Sequence, residues 1–255
     1  MSSEKATALV LRVIEFSESS SIVTLFTREF GKVRGLAKGA RRPKSSFESA
    51  LDLLSLCRIV FLRKSSDSLD LLTEAKLERR FRAAGRDLSS LYAAYYVAEL
   101  LAELTDDGDP HPELFDAACQ ALAALGALGS PVATVLLRFE LNALRLLGHM
   151  PLLDACVECG REVDDERRVA FGQLAGGVLC PRCRPGKRQV VSMSAAALRL
   201  MKQLSAGESA HEETNDTNAI DRRTTGELRG ILNHYMCNLL GHKPRMHAYL
   251  AHLAD

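Results

Sequence analysis

The chain has 255 residues, enough for one large domain or two small ones. Apolar residues make up 47% and charged residues 25%, which excludes collagen, coiled coil and wholesale disorder. No apolar run reaches the ~18 residues of a membrane span, and the opening MSSEKATALV lacks a signal h-region, so a protein neither inserted nor secreted is expected.

The net charge of +1 hides a gradient: residues 1–80 carry +5, residues 81–150 carry −5 and residues 151–255 carry +1. Such asymmetry predicts that the first 80 residues form a unit that meets a polyanion. Within them, 8–14, 21–27, 31–37, 51–62 and 69–75 are rich in strand formers, with a hairpin-sized turn at Arg28–Gly31. Five strands without a long intervening helix suit a small closed antiparallel barrel, which removes exposed edges.

From Leu88 the apolar period becomes helical, with Leu88, Leu91, Tyr92, Tyr95, Tyr96, Leu100, Leu101 and Leu104 on one stripe behind the capping group of Asp87. The tyrosines at this spacing are expected in a core rather than under bases. Further helices are predicted over 112–125, 131–147, the stretch after Ser192–Ser194, and 225–240, with a polar mobile loop at about 207–221. The helices of 88–147 are expected to pack against those of 193–250. The expected organisation is thus α+β: a barrel over 1–80, then an α-helical domain over 81–255 with a cysteine-bearing insert at about 151–190.

Seven cysteines sort into two classes. Cys57, Cys119 and Cys237 stand alone in apolar stretches and are expected as small buried hydrophobes. Cys156, Cys159, Cys180 and Cys183 form C-x2-C-x20-C-x2-C, the spacing of two knuckles completing a tetrahedron about one structural zinc ion. Between them, Val169–Gly172 and Gly176–Leu179 suggest a short hairpin, so the insert reads as a zinc ribbon or knuckle. A zinc deaminase uses a related Pro-Cys-x-x-Cys pattern. Here, however, Leu179 stands at the proline position and Cys159 offers a fourth sulfur, leaving no open coordination position. His242, His247 and His252 recur every five residues, a spacing that does not hold one helical face, so no metal site is expected there.

Arg28, Lys32, Arg34, Lys38, Arg41, Arg42 and Lys44, against Glu29 alone, give a local net charge of +6. Lys32, Arg34 and Lys38 share one face of a strand. A solvated surface explains many such runs, but a basic face on a small barrel points to nucleic acid. Nearby aromatics are few (Phe26, Phe30 and Phe47), which points to phosphate contacts rather than base readout. A zinc-ribbon RNA-binding module would use the same parts.

Three stretches carry a family resemblance. Ala8–Leu11 with Phe16–Thr27 and Gly31–Arg42, Leu136–Leu141 with Leu146–Pro151 leading into the cysteines, and Gly241–Met246 resemble, in this order, the RecO family of bacterial DNA repair and recombination-mediator proteins. The resemblance implies that the barrel is an OB-fold and that the protein is not an enzyme. It implies a mediator that binds single- and double-stranded DNA, anneals complementary strands, works with RecR and the single-strand-binding protein SSB, and helps load RecA. A cytoplasmic, nucleoid-associated location and a structural role for zinc follow from the same resemblance.

Overall fold

The computed structural model describes residues 2–43, 45–47, 50–64, 68–163, 168–206 and 221–251. Lys44, His252 and all but Asp221 of the polar stretch 207–221 lie outside the described residues. The chain divides into two compact units, residues 1–130 and 131–255.

In the first unit, β1 (Ser2–Glu15), β2 (Ser21–Thr27), β3 (Gly31–Ala37), β4 (Leu56–Arg63) and β5 (Asp70–Arg79) close into a barrel in the order β1-β2-β3-β5-β4. Closure depends on one parallel pairing, β3 with β5, while the other neighbours run antiparallel. The five-stranded closed barrel is as expected, but not wholly antiparallel: strands alternate in direction along the chain, so β3 and β5, brought side by side by closure, run the same way. Alternation along the strands sends Ala8, Val10, Val23, Leu25, Val33, Cys57, Ile59, Phe61 and Leu72 inward, all 7% exposed or less. β4 begins at Leu56, later than the Leu-rich run suggests; Leu54 has φ 64°, so the chain turns there instead of continuing the strand.

Two helices complete this unit. α1 (Leu88–Leu104) starts where Asp87 accepts from the backbone N–H groups of Ser89 and Ser90 at 3.0 and 3.2 Å. α2 (Pro112–Leu125) starts with proline in its first turn, where a missing N–H costs nothing. α1 packs on β1, α2 on β2, and the two on each other. Phe26 faces outward from β2 yet is fully buried, its ring centroid 6.1 Å from that of Phe115 on α2. Of the expected stripe, Tyr96, Leu100 and Leu101 are buried, but Leu91, Tyr92, Tyr95 and Leu104 are half-buried and Leu88 is 59% exposed. The buried face runs instead through Ala93, Ala94, Val97 and Ala98, whose small side chains let α1 pack closely.

The second unit holds α3 (Val132–Leu146), α4 (Ala195–Ser205) and α5 (Arg222–Leu240), which pack on one another. The helices of 88–147 thus do not act as one body: α3 joins α4 and α5, whereas α1 and α2 cover the barrel. Glu140 of α3 and Arg229 of α5 form an ion pair at 2.6 Å with both side chains fully buried. Between α3 and α4, β6 (Val169–Gly172), β7 (Gly177–Leu179) and β8 (Val190–Met193) form a sheet in the order β7-β6-β8. The expected hairpin is therefore joined by a third strand, which ends at Met193, one residue before Ser194 caps α4.

Candidate metal centre and nucleic-acid interface

The four cysteines of the repeated C-x2-C pattern converge, with every Sγ within 4.8 Å of the others. Two short turns do this. Gly160 N–H donates to Cys156 O at 2.8 Å, and the N–H groups of Cys183 and Arg184 donate to Cys180 O at 3.1 Å. Each turn therefore brings its pair of sulfurs to one side. Gly177 permits the close approach that holds the module together, since a Cβ there would lie 2.5 Å from Leu152 O.

Sulfur geometry discriminates between a bond and a cage. Cys159 Sγ and Cys180 Sγ are 3.8 Å apart, too far for a disulfide at about 2.05 Å. A tetrahedron of about 2.3 Å metal–sulfur bonds spaces its ligands by about 3.8 Å. Cys156 and Cys180 are buried among Leu179, Val157, Val163, Ala170 and Val190. Burial pushes the Cys156 thiol up, but backbone N–H groups of Cys180, Glu158 and Cys159 outweigh it and bring it down to about 6. The Cys180 thiol is drawn down chiefly by the Cys183 N–H, while Cys183 is pushed up to about 12 by the neighbouring sulfurs of Cys180 and Cys159. The four sulfurs are close enough together to be the ligands of one metal ion. Among the described residues these four form the one group of metal-ligating side chains. Glu158, the acid that a deaminase would need, is ion-paired with Lys187 at 2.6 Å.

The lone cysteines behave differently. Burial pushes Cys57 up to about 12 and Cys119 up to about 11, and raises Cys237. All three carry a proton at neutral pH, but only Cys57 is buried as expected; Cys119 and Cys237 are half-buried.

The basic residues of the barrel do not form one cluster. Lys32, Arg34 and Leu36 point outward from β3, as alternation predicts. β2 and β3 are seven residues long, so their two ends lie about 20 Å apart. At one end Arg28 makes a two-pronged pair with Asp116 of α2, both contacts 3.0 Å. Beside it, Lys32 is only 15% exposed and donates to Ala102 O at 2.8 Å and Thr105 O at 2.5 Å. It therefore caps the carbonyl end of α1, where cations are favoured. Arg34 follows, with Nε 2.7 Å from Asp107. At the other end Lys38, Arg41 and Arg42 are exposed. Arg41 meets Glu15 at 2.9 Å and Ser17 O at 3.2 Å, whereas among the described residues the side chains of Lys38 and Arg42 have no partner. Lys44 continues this run but lies outside the described residues.

The acidic partners explain the charge gradient. Asp107 and Asp116 belong to the net-negative segment 81–150 and neutralise part of the net-positive barrel within one compact unit. Gly31 makes the approach possible: it has φ +66°, and a Cβ there would lie 2.0 Å from Asp109 O.

Three cations escape the sequence reading. Arg12 faces outward opposite Thr24, which in turn faces Arg34. Arg63 and Lys64, at the end of β4, line a 300 Å³ cleft with Lys32, Arg34, Asp70 and Asp107. They stand far from the basic run in sequence, and only barrel closure through the β3–β5 pair brings them to it. No helix among the described residues is long and apolar enough to cross a membrane.

Comparison with known proteins covers most of the chain, dividing it between residues 81 and 85 rather than at the boundary between the compact units. Residues 1–81 match the family profile described as Recombination protein O N terminal, and residues 85–247 match Recombination protein O C terminal. The chain is 42% identical to the DNA repair protein RecO of Rhodopirellula baltica, over 97% of this chain and 99% of that one. It is 38% identical to the DNA repair protein RecO of Anaeromyxobacter dehalogenans over 91% of both chains. It is 37% identical to the same protein of Desulfitobacterium hafniense, over 80% of this chain and 74% of the relative.

Proposed function

The chain belongs to the RecO family of DNA repair proteins, and from that premise we propose that it is a non-enzymatic recombination mediator that holds DNA by its phosphates at the open end of the barrel. The observation that carries this reading is the group Lys38, Arg41 and Arg42, exposed on the loop after β3 and away from the end where Arg28, Lys32 and Arg34 meet α2, α1 and Asp107. Backbone contacts of this kind bind any sequence and screen the repulsion between two strands. Annealing of complementary strands follows from that screening. Of the other basic residues in the run, Arg28 is held by Asp116 and Lys32 serves as the cap of α1, so both act mainly in support of the barrel.

The same reading gives the protein single- and double-stranded DNA as ligands, RecR and SSB as partners, and RecA loading as the outcome, in the cytoplasm of a bacterial cell at the nucleoid. One zinc ion held by Cys156, Cys159, Cys180 and Cys183 supplies cross-linking rather than catalysis. Four thiolates fill a tetrahedron and leave no site for an activated water.

A strand-annealing assay tests the reading. Full-length protein should accelerate pairing of complementary oligonucleotides, both naked and coated with SSB. Preference for RNA over DNA in direct competition, or no acceleration at any salt concentration, would remove it.

A further inference from the structure

We propose that Phe16 and the outward row Ile14, Ile22 and Leu36 form a platform on which unpaired bases stack. The proposal rests on the phosphate-binding reading and adds a second kind of contact to it. The sequence directs attention to Phe26, Phe30 and Phe47, but Phe26 is fully buried, Phe47 is 4% exposed and Phe30 packs edge-on against Phe61. Phe16, at the tip joining β1 to β2, is 62% exposed, and Ile14 below it is 40% exposed. Strand register makes the patch continuous. Ile14 pairs with Ile22 and Ile22 with Leu36, so three apolar side chains stand abreast on the outer face of β1, β2 and β3.

Cations bracket this strip. On one side, two residues or about 7 Å along the strands, lies the parallel row Arg12, Thr24 and Arg34. On the other lies the loop bearing Arg41 and Arg42. That loop is strapped to the hairpin tip: Arg41 N–H donates to Ser19 O at 3.1 Å, its guanidinium donates to Ser17 O at 3.2 Å, and Gly39 N–H donates to Ser20 Oγ at 3.4 Å. The tip is also tied internally, by Phe16 N–H to Ser20 O at 3.0 Å. Phe16 is thus carried on a braced turn beside two arginines.

An apolar strip between two lines of positive charge fits a ligand that is apolar along its middle and anionic along its edge. A single strand with unstacked bases has that chemistry, and π faces make the contact independent of sequence. A duplex does not, because its bases already stack on one another. Arg34 and Arg41 are already paired with Asp107 and Glu15, but a purely apolar protein partner would leave Arg12 and Arg42, whose side chains have no partner among the described residues, unmatched.

The test uses the full-length chain. It contains no tryptophan, so Phe16→Trp introduces a unique fluorophore. Saturating oligothymidylate should quench its emission, whereas an abasic oligomer of equal length and inorganic tripolyphosphate should not. Phe16→Ala should weaken oligothymidylate binding about 5- to 150-fold, the equivalent of one stacked base. It should leave abasic binding, the salt slope and the melting temperature unchanged. Phe16→Tyr should restore affinity. If Phe16→Ala binds both oligomers as the parent does, or if the abasic oligomer quenches as strongly as oligothymidylate, stacking at this residue is wrong while the phosphate-binding reading stands. If Arg41→Ala/Arg42→Ala leaves affinity and salt slope untouched, the phosphate-binding reading itself fails.

Discussion

The cysteine cluster and the basic face of the barrel both begin as patterns in the sequence, yet they relate to the folded chain in opposite ways. Each C-x2-C turn is local: the spacing within four residues already points two sulfurs the same way, and folding only brings two such turns together. The basic run is local in sequence but is divided by the fold. A seven-residue strand carries Arg28 and Lys32 about 20 Å from Lys38, Arg41 and Arg42. The helices then engage the first two and leave the other three exposed. Coordination chemistry tolerates few outcomes for four thiols, whereas a lysine can hold a phosphate, cap a helix or sit in water.

The largest test of this contrast is removal of metal. Chelation, or Cys180→Ser, should unfold the module that joins α3 to α4, since structural zinc supplies about 10 kcal/mol or more in small sites. Circular dichroism and a metal assay should show loss of one zinc per chain together with loss of cooperative melting of residues 131–255. Metal-free protein with an intact melt would break the comparison.

A second test concerns the barrel's dependence on its helices. Residues 1–80 alone would expose Leu9 and Phe26, now 1% exposed and fully buried, at a cost of about 3–6 kcal/mol. A fragment ending at residue 130, the limit of the compact unit, should melt cooperatively and well above the shorter one. Equal melting of the two fragments would show that α1 and α2 only decorate the barrel.

Acid should act on the second unit through His247. Burial, then the charges of Arg229, Lys243 and His234, push its pKa down from 6.5 to about 4. Above pH 6.5 the imidazole is neutral in both folded and unfolded chains. As pH falls from 6.5 toward 4, the unfolded chain takes up a proton that the fold refuses, so stability declines by up to about 3 kcal/mol. His247→Gln should flatten that decline in a pH series of denaturant melts.

The smallest effects sharpen the comparison within the barrel itself. Lys32→Ala should lower stability by about 1–3 kcal/mol, through the orphaned carbonyls of Ala102 and Thr105, without changing the salt dependence of DNA binding. Arg41→Ala/Arg42→Ala should do the reverse: an unchanged melt, and a slope of log K against log salt shallower by about 1.4. Exchange of these two phenotypes would mean that the wrong end of β3 has been assigned to DNA.

Much of this molecule was legible without coordinates. Strand alternation announced the barrel, helical stripes and Asp87 announced α1, and the spacing of Cys156, Cys159, Cys180 and Cys183 announced their convergence. These features share a cause: each is decided by neighbours within a turn or a pleat, so periodicity and spacing carry the information. Tertiary structure decided the rest. That Asp107 and Asp116 neutralise Arg34 and Arg28, that α1 and α2 cover the barrel, that β8 joins the hairpin of the cysteine module, and that Arg12 and Arg63 stand near Arg34 are pairings across tens of residues. So is the emergence of Phe16, rather than Phe26, as the exposed aromatic of the barrel. Such outcomes depend on which surfaces meet when the sheet closes and the helices dock, because burial rewards any apolar surface and a charge accepts any opposite partner within reach.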